Sequence, residues 1–278
     1  MEIARKDFRT AGSETINIYF LGDIHEGNSN CDREALKRAV KIIQDDPMGY
    51  WVGMGDYIEA ITIHDKRFDP VAIAKEYDIR DLEDLPYRQI ERVFSYLAPI
   101  KEKCIGLLMG NHEEKYVKYN SSNVFRRFWE LFGNSELPRL GYVGYLKLAF
   151  YFEGKSTADK TVTVALNHGD GGSGYLEGYP VNKVHQIFRW SRADVNICGH
   201  LHKLVEDMKL TQGNITQNDQ HFEKPQFFGM SGCFLRTYVE GQRNYFEHKG
   251  RSASDIGMLR LSVKCVRPLE MRLFKMYM

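Results

Sequence analysis

The sequence lacks the features that would place it in several large protein classes. It has no C-x-x-C pair, and its five cysteines (Cys31, Cys104, Cys198, Cys233 and Cys265) are odd in number and scattered. That argues against a disulfide framework or a zinc ribbon and fits a reducing compartment. No apolar stretch approaches the ~20 residues needed to span a bilayer. The first residues, Met1 to Asp7, carry no apolar leader core, so the expected location is the cytoplasm. A charge excess of one sign is also missing: 38 Lys and Arg against 37 Asp and Glu leave a formal net charge of +1. Nucleic acid and anionic membrane therefore exert no global pull, although a local basic groove would not show in the total. No linker, repeat or low-complexity segment interrupts the chain, and the expectation is one domain over residues 1–278.

A hydrophobic content of 43% is enough for a large core, and the apolar residues fall into short runs that end abruptly. Cys104 to Met109 reads as a buried strand, too short for a helix, and is followed by Gly110-Asn111-His112-Glu113. Thr15 to Leu21 ends in Gly22-Asp23-Ile24-His25, and Gly49 to Met54 ends in Gly55-Asp56. Thr161 to Leu166 ends in Asn167-His168-Gly169-Asp170, and Asp194 to Cys198 ends in Gly199-His200-Leu201-His202. Five of the nine histidines thus sit at strand ends, where ligands collect in α/β sheets. For Asn111 alone a second reading competes, that it caps the next helix.

Between these strands the period changes. Leu36, Ala39, Val40 and Ile43 mark a helix capped by Asp32 and stopped by Pro47. Ile90, Val93, Phe94 and Leu97 mark another, opened by Pro86. Phe125, Phe128, Trp129 and Phe132 repeat at i, i+3, i+4, i+7 within Lys115 to Phe132, which reads as an amphipathic helix with solvated arginines. The rival reading makes Lys118, Arg126 and Arg127 a nucleic-acid surface. Val184, Ile187 and Phe188 mark a further helix, and Leu204 to Met278 is strand-like, with loops at 212–223 and 240–254. Strand-helix alternation of this kind indicates crossover units in a largely parallel sheet. Residues 61–85 have no clean period, and Lys66-Arg67-Phe68-Asp69-Pro70 opens an excursion read either as an inert surface insertion or as a lid. The loop Gly169 to Gly174 could present N–H groups to a phosphate, but it is not the G-x-x-x-x-G-K-[ST] of a nucleotide loop.

Taken in order, Asp23-x-His25, Gly55-Asp56, Gly110-Asn111-His112-Glu113, His168 and Gly199-His200-x-His202 resemble the motifs of the calcineurin-like metallophosphoesterases, over about residues 15–202. The resemblance implies an α/β fold, a two-sheet sandwich flanked by helices, with a strand-rich part over 203–278. It also implies two divalent metal ions. Asp23, His25 and His202 would hold one, Asn111, His168 and His200 the other, and Asp56 would bridge them. His112 would be the general acid. Two cations ~3.5–4 Å apart can clamp an in-line displacement and acidify a bridging water. Oxygen and imidazole donors without thiolate suit Mn, Fe, Ni or Zn, with Mn expected.

The resemblance leaves the roles of several residues open. Glu113 reads as the start of a helix in preference to a partner of the site, and Asp170 either orients His168 or ends its loop. Asn28 and Arg236 are candidate substrate contacts, Asn28 reading otherwise as a turn residue. His64, His185, His221 and His248 receive no role. After Gly55-Asp56 the chain reads Tyr57-Ile58-Glu59-Ala60, with none of the Asp-Arg-Gly of the phosphoprotein phosphatases, which disfavours a Ser/Thr protein phosphatase. The expected activity is hydrolysis of a phosphoester, most of all a phosphodiester of small-molecule or nucleotide size. The alternatives are a DNA or RNA nuclease of the repair-exonuclease kind and a non-catalytic scaffold.

Overall fold

In a computed structural model, which describes residues 2–63, 65, 68–172, 176, 178–212, 223–241, 250 and 252–278, strand β2 (Thr15–Leu21) shows how the layers arise. Its side chains alternate between two faces. Ile16, Ile18 and Phe20 enter one apolar cluster, while Tyr19 and Leu21 enter another. The first cluster lies between two β-sheets and the second lies under helices. A strand buried on both faces has to read as a continuous apolar run, as this one nearly does.

Element order is β1 (Glu2–Thr10), β2, α1 (Arg33–Asp45), β3 (Gly49–Gly53), α2 (Leu85–Leu97), β4 (Cys104–Leu107), α3 (Asn111–Asn120), α4 (Val124–Leu131), β5 (Val143–Phe152), β6 (Lys160–Asn167), α5 (Tyr179–Ile187), β7 (Val195–Cys198), β8 (Leu204–Gln212), β9 (Glu223–Ser231), β10 (Gly257–Lys264) and β11 (Glu270–Tyr277). One sheet runs β1-β5-β6-β7-β9-β8 and the other β11-β10-β2-β3-β4. Leu146, Leu148, Phe150, Val164 and Ile197 of the first sheet meet Ile18, Phe20, Val52 and Leu261 of the second. Helices α1, α2 and α4 cover the outer face of the five-stranded sheet through Leu36, Ile90, Val93 and Phe128. Helix α5 covers the six-stranded one through Val184 and Ile187, with Phe188. The result is the expected two-sheet α/β sandwich with helices outside.

Several local readings are corrected. The sheets are mixed, in place of one largely parallel sheet: β2, β3 and β4 are parallel, but β10 inserts antiparallel to both β2 and β11. Strand β1 escaped notice because it is an edge strand. Only Ala4, Phe8 and Thr10 of its nine residues are buried, and Ile3 is exposed, so no apolar run marks it. The segment from Lys115 to Phe132 is two helices, separated where Ser121 turns into the left-handed region (φ 50°). Its aromatic stripe faces inward as expected, and Arg126 and Arg127 lie exposed beside Glu130. Asp32 caps α1 by accepting from Ala35 N (2.9 Å).

The described part of the excursion after Ile61 is bonded to the turn that follows His25. Ser29 N donates to Ala72 O (2.8 Å) and Ala74 N to Gly27 O (3.0 Å). Tyr77 Oη donates to the fully buried Glu26, which also receives both Nε and Nη2 of Arg33 at 2.9 Å. The turn that follows His25 is thereby clamped from outside. His64, Lys66, Arg67, Ser173, Gly174, His221 and His248 lie outside the described residues, as do most of loops 212–223 and 240–254.

Phe128 is 1% exposed and packs 4.5 Å from the Tyr57 ring and 5.3 Å from Phe132. Phe128→Ala is expected to cost about 3–5 kcal/mol, measured by denaturant unfolding. A loss under about 1 kcal/mol would be inconsistent with its place in this core.

Candidate metal centre

Strands β2, β3 and β4 of one sheet and β6 and β7 of the other end at a common edge, and their turns are bonded to one another. Asp23 N donates to Gly55 O (2.9 Å) and Ile24 N to Asp56 O (2.8 Å). Gly199 N donates to His168 O (3.0 Å), and His200 N reaches across the sheets to both oxygens of Asp23 (3.1 and 3.0 Å). The turns are tight enough to force unusual backbone. Asp23 (φ 49°), His25 (54°), Asp56 (49°), His200 (70°) and His202 (54°) all adopt the left-handed region. Outside glycine such strain costs of order 1–3 kcal/mol per residue and persists where the surroundings over-determine it. Gly110 shows the crowding: a Cβ there would stand 2.1 Å from Asp56 N and 2.2 Å from Asp56 Oδ1.

These turns bring together every residue expected to hold a metal. Asp23, His25 and His202 present atoms within 4.8 Å of one another, as do Asp56, His168 and His200. Nε2 of His25 and Nε2 of His202 are 3.1 Å apart, and His202 Nε2 is 3.6 Å from Asp23 Oδ1. His168 Nε2 is 3.2 Å from Asp56 Oδ2 and 3.1 Å from Asn111 Oδ1. Asn111 is thus the first helical residue with its side chain on His168, and Gly110 is the cap. Asp23 and Asp56 are 0% and 1% exposed; two buried carboxylates that close to imidazoles require compensating positive charge.

The donor set fits divalent cations in a further respect. Histidine ligands are typically fixed by a hydrogen bond from the other ring nitrogen. Here His25 Nδ1 lies 3.0 Å from Glu59 Oε2, His168 Nδ1 2.8 Å from Met54 O, and His200 Nε2 2.9 Å from Gly171 O. His25 and His168 therefore aim Nε2 inward and His200 aims Nδ1. His112 also falls within reach of His25 and Asp56. Its Nδ1 is 2.5 Å from Glu59 O, and its backbone N donates to Asp56 Oδ1 (2.9 Å).

Two residues count for more than the sequence suggested. Glu113, read as a helix start, is 1% exposed, and its carboxylate accepts four backbone N–H groups. Oε2 takes Gly110 N (3.0 Å) and Asp56 N (3.1 Å), and Oε1 takes Tyr57 N (2.7 Å) and Ile58 N (3.2 Å). It ties the β3 turn to the β4 turn. Glu59 bridges His25 by its carboxylate and His112 by its carbonyl. The one available signal was a carboxylate three residues beyond Asp56. Conversely, Asp170 is exposed and pairs with Lys183 (3.1 Å); His168 is oriented by Met54 and Asp56. Asn28 is a turn residue whose Oδ1 accepts from Asn30 N (2.9 Å). The Arg236 guanidinium pairs with Asp32 at the start of α1, and the neighbouring Phe234 N donates to Asp23 O (2.9 Å).

Electrostatics follow from this packing. Burial opposes ionisation of Asp56, but the rings of His168, His112 and His25 outweigh it and hold the carboxyl well below its usual range. Burial likewise opposes a charge on His168, yet Asp56, with Asp23 behind it, lifts that ring to about 10. Burial and then the charge on His168 depress His200 to about 4. Burial and the Asp56 charge push Glu113 up to about 7. Its four contacts are all donors, however, and call for the ionised form.

A family model described as calcineurin-like phosphoesterase matches residues 16–204. No curated protein matches the chain. Among solved structures, wild-type Vps29 of Entamoeba histolytica complexed with zinc is 10% identical, with a TM-score of 0.36 over 94% of this chain and 99% of that one. The nuclease MPE of Pseudomonas putida is 10% identical, with a TM-score of 0.31 over 93% of this chain and 87% of that one. GAP50, the anchor in the inner membrane complex of Plasmodium, is 11% identical, with a TM-score of 0.39 over 95% and 89%. Likenesses this distant say nothing of activity. Among the described residues no helix is long and apolar enough to cross a membrane.

Glu113→Gln places an amide donor against two backbone donors and is expected to destabilise the protein by about 2–4 kcal/mol and to weaken divalent-ion binding by displacing Asp56. Unchanged unfolding and unchanged ion affinity would remove Glu113 from this role. Protonated His168 stabilises the metal-free protein fully below its unfolded value of about 6.5, and that stability is lost as pH rises through about 10. Ion binding has to expel this proton. Adding Mn2+ or Zn2+ to metal-free protein in weak buffer at pH 8 should release about one proton per chain from this ring, with affinity rising with pH. No release at that pH would contradict a protonated His168.

Proposed function

The chain belongs to the calcineurin-like phosphoesterase family, and on that premise we propose that it hydrolyses a small phosphodiester at a centre of two divalent cations. The observation that supports this most is the completeness of the donor set: three carboxylate or amide oxygens and four imidazoles, all delivered to one edge and none displaced. A scaffold that had given up chemistry would have no need to keep five such residues in strained backbone.

Asp23, His25 and His202 would hold one cation, and Asn111, His168 and His200 the other. Asp56 would serve both, being anionic and two-pronged, which Asn111 is not. The oxygen- and imidazole-only donors admit Mn, Fe, Ni or Zn, and Mn is our choice. Divalent cations held there would supply Lewis-acid polarisation of a phosphoryl oxygen and a lowered pKa for bound water. The protein supplies the rest. His112 is held by Glu59 O at Nδ1 and by its backbone at Asp56, and the protonated ring would donate from Nε2 to the departing alkoxide. A well-placed general acid contributes ~10²–10⁴-fold. Glu59, by orienting His25 and His112 together, couples metal geometry to acid geometry.

Small substrates are favoured over duplex DNA. A duplex draws on several Lys or Arg contacts to phosphate and is weakened steeply by salt. Arg126 and Arg127, the best basic candidates, are engaged with Glu130.

His112→Ala is expected to retain both cations and to slow turnover ~10²–10⁴-fold, with a smaller loss for esters of acidic phenols. Asp56→Asn is expected to abolish activity and to lower metal content. Turnover should be compared on bis-p-nitrophenyl phosphate, a cyclic nucleotide, single-stranded DNA and duplex DNA at two salt concentrations. Loss of metal in the His112 variant would remove it as the acid, and fast, salt-sensitive degradation of duplex DNA would replace the small-substrate reading with a nuclease.

A further inference from the structure

The five-stranded sheet is covered on its outer face by α1, α2 and α4, but only over part of its length. Tyr19 and Leu21 of β2 lie under helices. Helix α1 ends at Asp45, and the outward side chains of Thr15 and Asn17 line an open groove of about 460 Å³. The groove continues over β10 and β11 at the end of β2 remote from Asp23, roughly 20 Å along a seven-residue strand. Its lining is set by register. Across β10 and β11, Arg260 faces Phe274, Ser262 faces Arg272, and Lys264 faces Glu270; across β10 and β2, Ser262 faces Asn17.

The chemistry of this face is one-sided. Lys264 and Glu270 pair with each other at 3.7 Å. No carboxylate among the described residues lies within ion-pair distance of Arg260 or Arg272. The half-buried guanidinium of Arg260 lies over the Phe274 ring, 4.7 Å from its centroid, and beside the Tyr19 hydroxyl, while its Nε is buried without a hydrogen-bond partner. A buried N–H without an acceptor is costly, and an acceptor arriving from outside would satisfy it. Arg272 is the diagonal cross-strand neighbour of Arg260, ~7–8 Å away at the Cα level, a separation two long side chains can close around one tetrahedral anion. Asp46, bonded to the lining residue Asn17, is already occupied: Oδ2 accepts from Asn17 Nδ2 (2.7 Å) and Tyr19 Oη (2.8 Å), and Oδ1 from Met48 N (3.0 Å). Ser262 Oγ donates to Asn17 Oδ1 (2.6 Å), so the floor is pre-ordered.

We propose that this groove is a second ligand site, separate from the metal centre, that binds the phosphate group of a small organic phosphate. Arg260 and Arg272 clasp the phosphoryl oxygens, planar guanidinium forks being suited to that geometry. Lys264 at the rim adds charge, and the remaining volume takes the organic part. A volume of this size lies within the range of small-molecule sites and exceeds what a bare phosphate would fill.

The test is calorimetric titration of the full chain with adenosine 5′-monophosphate and, separately, with inorganic phosphate. Wild-type protein should bind the nucleotide saturably, more tightly than inorganic phosphate and more weakly as NaCl is raised. Arg272→Gln, an exposed change that leaves folding intact, should weaken it about tenfold or more, and Arg260→Gln should do the same. Hydrolysis of bis-p-nitrophenyl phosphate should be unaltered in Arg272→Gln. Because a phosphate at the metal centre would persist in both variants, an unchanged nucleotide affinity overturns the site. Absence of saturable binding at millimolar nucleotide also overturns it, and equal affinity for nucleotide and inorganic phosphate overturns the organic ligand.

Discussion

The candidate centre depends on one buried carboxylate whose hydrogen bonds all go to backbone N–H groups. Glu113 accepts four backbone N–H groups, three from the β3 turn and one from the β4 turn. Without an acceptor there, Asp56 N, Tyr57 N and Ile58 N would be buried donors with nothing to donate to, at roughly 1–3 kcal/mol each. With it, Asp56 is held in left-handed backbone and its Oδ1 is presented to His112 N. His168 lies to one side of the Asp56 carboxylate, at 3.2 Å, and His25 to the other, at 3.9 Å.

A second constraint joins the two sheets. Each sheet contributes a Gly-x-hydrophobic-His turn, Gly22 to His25 and Gly199 to His202, with left-handed backbone at both polar positions. The turns meet where Asp23 accepts His200 N. The sandwich thus closes at its functional edge through polar contacts, while the apolar cluster between the sheets holds the rest. Packing of this kind makes the cluster rigid: its strain is carried by a large core and by the clamp of Glu26, Arg33 and Tyr77 over the turn after His25. The same layering explains the exposed groove at the far end of β2, where the sheet extends past the helices that cover it.

Most of the cluster was legible because its members fall at the ends of apolar runs, and a run of four to seven buried residues announces itself. Asp23, His25, Asp56, Asn111, His168, His200 and His202 could all be named from that pattern and from the family likeness. Glu113 and Glu59 could not be assigned their roles, because what matters about them is which backbone groups they meet across the fold. Spacing says that Glu113 is in the first turn of a helix; it does not say that three of its four donors come from residues 56–58. Strand β1 was hidden for a related reason. An edge strand with one buried face has too few apolar residues to stand out, and its identity comes from pairing with β5, over 130 residues away.

The sequence by itself determined the strand ends, the helical stripes and the chemical types of the donors, since these follow from local periodicity and from what each side chain can ligate or donate. The tertiary structure alone decided which nitrogen of each histidine faces inward, which carboxylate supports another instead of binding, and where one face of a sheet lies bare. Those depend on contacts between residues distant in the chain, and a one-dimensional pattern carries no record of which partner occupies the other side of a hydrogen bond.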